Sequence, residues 1–219
     1  MLDSRDWPKD SSSLTHRATL ERRAPRATCR EGRWLVSLES MTAWLSSFPA
    51  TAPAGLPPLE ARERLTRLAR RSSMLASMAP SLAPGEAFAS VRLYEDERRC
   101  LALFRVRAGA KIELHDHPGM TVVFHVVAGR AQLEVFDWLE LDTDGAGRAT
   151  RFFSGVVDVG SGARAVLPDR ENLHAIEALD ELLFLDLFSP DYDPEAGRGC
   201  SFYRVLERRG EVYELRREL

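Results

Sequence analysis

"LHDHPGMTVVFHVVAG", residues 114–129, sets two histidines one residue apart, halts at Pro118 and Gly119, and resumes as a β-branched and aromatic run. Residues i and i+2 of a strand point to one face about 7 Å apart. His115 and His117 therefore aim at the same side, and Asp116 at the other. The run from Met120 to Gly129 reads as a buried strand, bounded by glycine. A pair of imidazoles on one face of a strand, closed by a turn, places the chemistry of this chain inside a β-structure.

The same period of two recurs on both sides. "FASVRLYEDE", "RRCLALFRVRAG", "RAQLEVFDWLEL", "RFFSGVVDVG", "ARAVLP", "NLHAIEAL" and "LLFLDLF" are short runs separated by Gly, Pro, Asp or Asn. About eight or more short strands with no helix between them predict a sandwich or barrel, and a mainly β double-sheet jelly roll of the cupin kind is the natural candidate. Before residue 84 the period is helical. "RWLVSLESMTAWLSSF" (33–48) and "LEARERLTRLARRSSMLASM" (59–78) predict two amphipathic helices joined by the proline-rich "PATAPAGLPP". Residues 1–32 show no sustained period and read as a mobile tail. The expected organisation is a tail over 1–32, a helical extension over 33–82, and a cupin domain over 83–219.

The chain of 219 residues is 44% hydrophobic, enough for one main domain with a real core. Its net charge of -3 leaves no electrostatic footprint for nucleic acid or a membrane surface. Cys29, Cys100 and Cys200 are odd in number and widely spaced, so neither a disulfide framework nor a CxxC motif is present. The start, "MLDSRDWPKD", is acidic and polar, unlike a signal or transit peptide. A cytoplasmic monomer is the expectation.

Two imidazoles do not complete a metal site. His174 is the candidate third ligand, because it opens a strand just after a polar turn. Gly109, His115, His117 and Gly129 fall at the spacing of the first cupin motif, and Gly162, Pro168 and His174 echo the second, with a longer insertion. Where most cupins carry a liganding glutamate this chain has Thr121 and Val122, so the ligand set is three neutral imidazoles. Such a set leaves open positions and keeps positive charge on a divalent ion, which favours an anionic ligand such as a thiolate. Zinc also accepts three histidines, so spacing alone does not name the metal. His125, within "TVVFHVV", reads as a hydrogen-bonded strand histidine, and His16 falls in the tail.

"LHDHPGMTVVFHVVAGRAQLEVFDW" and "NLHAIEALDELLFLDLFSPDYDPEAGRGCSFYRVLE" resemble the thiol dioxygenases that comprise cysteamine (2-aminoethanethiol) dioxygenases and plant cysteine oxidases. The resemblance runs from about residue 86 to 208. It implies an Fe(II) cupin held by His115, His117 and His174 that adds dioxygen to a thiol and releases a sulfinic acid. It further implies that Asp186, on the strand after the third histidine, is the substrate-pocket acid and that Tyr192 is the loop tyrosine. A carboxylate inside a run of leucines and phenylalanines is costly unless paired, and a substrate ammonium is a suitable partner. Arg105 and Arg107 read as strand residues, so no carboxylate clamp is evident. Cysteamine or a peptide with an N-terminal cysteine is the expected thiol. The resemblance carries one departure. The animal enzyme can join a cysteine to the tyrosine two residues later, and here those positions are Cys200 and Phe202. The alternatives are a metal-binding cupin without turnover, as sensor or structural module, and a different cupin enzyme such as a flavonol dioxygenase or an isomerase.

Overall fold

The computed structural model describes residues 58–218. The tail over 1–32, the helix over 33–48 and nearly all of the linker that follows it lie outside the described residues. The helix expected over 59–78 is two helices, α1 (Pro58–Ala69) and α2 (Ser72–Met78). Arg71 sits between them with φ -90° and ψ 44°, and Ser72 and Ser73 open α2. Serine side chains compete for backbone groups, which makes them poor in a helix interior and good near a start. The periodicity survives the break, because Ala61, Leu65 and Ala69 of α1 and Leu75 of α2 all bury in one cluster.

Eleven strands follow: β1 (Phe88–Glu95), β2 (Cys100–Val106), β3 (Lys111–Asp116), β4 (Thr121–Ala128), β5 (Arg130–Leu141), β6 (Ala146–Asp158), β7 (Arg164–Val166), β8 (Leu173–Ala178), β9 (Leu182–Ser189), β10 (Tyr203–Arg209) and β11 (Val212–Arg217). They form a five-stranded sheet in the order β1-β2-β9-β4-β7 and a six-stranded sheet in the order β10-β11-β6-β5-β8-β3. All pairings between these strands are antiparallel. Non-sequential neighbours such as β2-β9 and β3-β8 give the crossing connections of the expected double-stranded β-helix, the cupin architecture.

Alternation along the strands decides what each face does. On β9, Phe184 and Phe188 enter the core between the sheets, while Leu183, Leu185 and Leu187 pack with α1 and α2 on the other face. Both faces are covered, which is why "LLFLDLF" is apolar at every position but Asp186 rather than alternating. Phe104 and Phe184 stack with centroids 4.8 Å apart in the inner core. The hairpin of β10 and β11 was not among the expected runs. Its exposed positions are heavily charged, and its apolar residues Tyr203, Tyr213 and Leu215 pack with Phe136 and Leu173 on a third cluster.

One turn depends on a single missing side chain. Gly129, between β4 and β5, has φ +81°, and a Cβ there would lie 2.3 Å from the Glu181 carbonyl oxygen. Left-handed backbone and a backbone clash act together, so Gly129→Ala is expected to cost about 2–4 kcal/mol. Urea denaturation of the variant beside the parent chain measures it, and an unchanged midpoint would contradict this account of the turn.

Candidate metal centre

His115 lies on β3, His174 on β8, and the two are direct partners across the antiparallel ladder. His117 is one residue past the end of β3, in the turn that Pro118 and Gly119 make. The three imidazoles are all buried, and their ligand atoms lie within 4.8 Å of one another. Ring centroids are 5.0 Å (His115 to His117), 4.5 Å (His115 to His174) and 4.7 Å (His117 to His174) apart. These are the three histidines that the sequence singled out, and the structure brings them together. His117 owes its place to a turn rather than to the strand.

Neighbouring groups aim the rings. His115 Nδ1 is 2.8 Å from the Glu113 carbonyl, which fixes a proton on that nitrogen and leaves Nε2 free. His117 Nδ1 is 2.6 Å from the Tyr192 hydroxyl oxygen, and that hydroxyl donates to the Asp116 carbonyl at 3.0 Å. The chain of donors thus puts a proton on His117 Nδ1, and His117 Nε2 faces His174 Nε2 at 3.2 Å. Burial pushes the His115 pKa down to about 4. Burial also holds His117 and His174 well below the usual imidazole range, with the adjacent imidazoles adding to the effect. Three neutral nitrogen donors converge without a carboxylate, which fits a divalent transition metal. Thr121 is buried at the start of β4, where the generic motif has an acid, and supplies no carboxylate to the site.

Two further residues hold this geometry and escaped the sequence reading. Asn172 donates from Nδ2 to the His117 carbonyl at 2.8 Å, and its own oxygens accept from the His117 amide. It ties the turn after β3 to the start of β8. Its only signal in the sequence was the polar turn before His174. Asp116 does face away from the imidazoles, as strand alternation requires. Its carboxylate accepts from the Ser201 amide at 2.8 Å and from the Tyr203 hydroxyl at 2.8 Å. This lashes residues 200–203 alongside β3 and seats the Phe202 ring 5.7 Å from His115. Cys200 is a free thiol close to the Tyr192 hydroxyl, and burial pushes its pKa up to about 12.

Asp186 lies on β9 between Phe184 and Phe188, so its side chain enters the same interior. It is 4% exposed, and its Oδ1 has no hydrogen-bond partner. Burial pushes its pKa well above the usual carboxylate range. His125 stands apart from the triad. It is buried on the helix-facing side of β4, with Nδ1 2.7 Å from the Val126 carbonyl. Arg105 pairs with Glu181 and Arg107 donates to the Glu86 and Ala83 carbonyls, so neither serves the interior.

A protein-family model described as PCO_ADO matches residues 60–218. The 2-aminoethanethiol dioxygenase of Homo sapiens is 31% identical over 166 residues, covering 64% of this chain and 59% of that protein. The 2-aminoethanethiol dioxygenase of Mus musculus is 36% identical over 143 residues, covering 53% of this chain and 54% of that protein. Plant cysteine oxidase 2 of Arabidopsis thaliana is 29% identical over 118 residues, covering 52% of this chain and 42% of that protein. The chain spans a little over half the length of the 2-aminoethanethiol dioxygenases it matches.

The convergence of three imidazoles yields a direct expectation. His174→Ala should lose most bound divalent metal, because two donors remain, whereas His125→Ala should keep it. Metal content by elemental analysis after reconstitution and desalting decides this, and full occupancy in His174→Ala would sink the assignment.

Proposed function

Because the chain belongs to the PCO_ADO family, we propose that it is a cytoplasmic, non-haem Fe(II) thiol dioxygenase acting on cysteamine or on peptides with an N-terminal cysteine, and releasing a sulfinic acid. The observation that carries this reading is the all-imidazole triad in one interior with Asp186, a carboxyl whose Oδ1 has no partner. An acid so placed is waiting for a donor or a cation, and an amine next to the reacting thiol is both.

His115, His117 and His174 would hold the iron through their converging nitrogens. When bound, the ion supplies the Lewis acidity that favours a thiolate and the route for electrons from sulfur to dioxygen. Both oxygen atoms end on sulfur, which provides all the electrons, so no external reductant is consumed. Tyr192 holds the proton on His117 Nδ1 and so keeps that ring in one tautomer and orientation. Burial disfavours the charged form of Asp186. A substrate ammonium at its side would offset that effect and favour the carboxylate. The phenyl rings of Phe104, Phe124, Phe184 and Phe188 wall this part of the interior and exclude water from the ion pair. Domain roles follow the same reading: the strands carry the chemistry, and α1 and α2 pack against them as support.

Iron reconstituted under anaerobic conditions and then exposed to air with an N-terminal-cysteine peptide should add two oxygens to the peptide, read by mass. Acetylating the peptide amine should sharply reduce turnover. Asp186→Asn should retain iron and lose about 30-fold or more in kcat/KM, since removing one partner of a buried charge pair costs about 2–5 kcal/mol. Equal turnover of the acetylated peptide would remove the role given to Asp186. Iron retention with no thiol oxidation would indicate a binding module instead.

A second expectation concerns Cys200. Phe202 lacks the phenol that oxidative coupling requires, and the Tyr203 hydroxyl is turned to Asp116 on the other face of the chain. Cys200 should therefore remain fully alkylatable after many turnovers. A Cys200 fragment lighter by two hydrogens and resistant to alkylation would show that a tyrosine, with Tyr192 nearest to hand, had taken the role.

A further inference from the structure

Each imidazole of the triad has an outer ring nitrogen, and the fold treats the three unequally. His115 Nδ1 meets the Glu113 carbonyl at 2.8 Å, and His117 Nδ1 meets the Tyr192 hydroxyl at 2.6 Å. His174 turns its Nε2 toward His117, and among the described residues no group bonds its Nδ1. A metal-binding histidine almost always donates its outer N–H to a carboxylate, a carbonyl or a water, because that bond fixes the tautomer and aims the ring. The third histidine lacks, within the protein, the partner that the other two have.

Beside it lies a small cavity of about 10 Å³, room for one water-sized sphere, with His174, Glu171, Arg164, Phe124 and Val135 among its walls. Arg164 faces inward from β7, since Val166, two residues on, packs in the inner core while Ala163 and Ala165 face the helices. Its guanidinium lies 3.7 Å over the Phe153 centroid, and its Nε is buried without a hydrogen-bond partner. Glu171 and Arg164 act on one another as opposite charges, yet no ion pair closes between them. Among the described residues Glu171 is also the one non-glycine residue with positive φ, +53°. The left-handed region is uphill for a glutamate, where glycine or asparagine would enter readily. Asp137 holds that bend by accepting from the Glu171 amide. A costly backbone kept under a particular side chain points to a task for that side chain.

We infer that one buried water fills this cavity and links His174 Nδ1–H, Arg164 Nε–H and the Glu171 carboxylate, which makes Glu171 a positioning residue for the third metal ligand. The bond count closes. The water accepts from His174 and from Arg164 and donates to Glu171, three bonds in all, the usual number for a buried water. Donation to a carboxylate polarises the water and strengthens its hold on the imidazole N–H. Arg170, Arg164 and Arg62 favour the charged form of Glu171 against burial and the neighbouring Asp137. The stretch "ENLH" then serves two ligands: Asn172 holds the backbone of His117, and Glu171, through the water, holds the ring of His174. This inference rests on the triad holding a divalent ion and does not depend on which thiol reacts.

The test loads the full chain with zinc as a diamagnetic probe and reads the rings by heteronuclear NMR of isotope-labelled histidine, with through-bond assignment. The parent should show His174 as the Nδ1–H tautomer, its proton protected from exchange and giving a cross-peak to a long-lived water. Glu171→Met removes the acceptor at similar length and should lose both features, while the His115 and His117 Nδ1–H signals stay in place and show that the fold is kept. Glu171→Gln retains an acceptor oxygen and should restore them. Zinc affinity should fall about tenfold in Glu171→Met, as loss of such an outer partner costs, and recover in Glu171→Gln. The inference is overturned if the parent ring shows no bound water, or if Glu171→Met leaves the His174 proton and the affinity unchanged. All three rings shifting together, with glutamine no better than methionine, would show a merely structural role and overturn it as well. A protected His174 proton in a chain that oxidises no thiol would keep this inference and remove the dioxygenase reading. Thiol oxidation with the His174 proton unprotected would do the reverse.

Discussion

The antiparallel register that sets His115 opposite His174 is the constraint from which the rest of the centre follows. Two imidazoles on neighbouring strands can share one ion only if the strands pair in that register and the residues face inward, and a slip by one residue would turn each to the opposite face. The third, His117, lies beyond the ladder and cannot be held by it. Asn172 does that work, bonding the His117 backbone from the β8 side and closing the gap between the two chain segments. Burying three imidazoles disfavours their charged forms, so the protein keeps them as neutral donors in the range where a metal needs them.

Behind the triad, polar groups are paired in an order that gives each one task. Asp116 sends its carboxylate away from the imidazoles to Ser201 and Tyr203, and so spends its charge on anchoring the segment that carries Cys200 and Phe202. Burial raises its pKa, while the Ser201 amide and the Tyr203 hydroxyl pull it down. Its backbone carbonyl takes the Tyr192 proton, and Tyr192 in turn orients His117. One residue between two of the histidines therefore couples the loop after β9 and the strand β10 to the position of a single ring. Arg92, paired with Asp191 beside Tyr192, extends that support to β1.

Against this paired network, Asp186 is an interior carboxyl whose Oδ1 has no hydrogen-bond partner. A folding sequence normally avoids such positions, and where it keeps them the reason is usually function. Phe124 of β4 is its direct partner on one sheet, and the histidine row lies on the other. The arrangement leaves an aromatic-walled interior with an acid across from the three histidines.

The sequence by itself determined the mainly β architecture, eight runs between Phe88 and Phe188, and the candidate histidines, because each rests on local chemistry: alternation, turn residues, and scarce imidazoles at short spacing. The family resemblance of its two long segments pointed to Asp186, and a lone acid in an apolar run agrees with that. Tertiary structure alone decided the rest. The break at Arg70–Arg71 leaves the apolar periodicity intact and so left no trace in the pattern. The hairpin of β10 and β11 is mostly solvent-facing, and its charges hid its alternation. Asn172, Asp116 with Tyr203, and Arg164 look like ordinary polar residues of turns and strand ends until the ladder registers bring them against partners 55, 87 and, for Arg164 over Phe153, eleven positions away. Strand pairing is non-local, and which row a side chain joins depends on a register that no short stretch of sequence encodes.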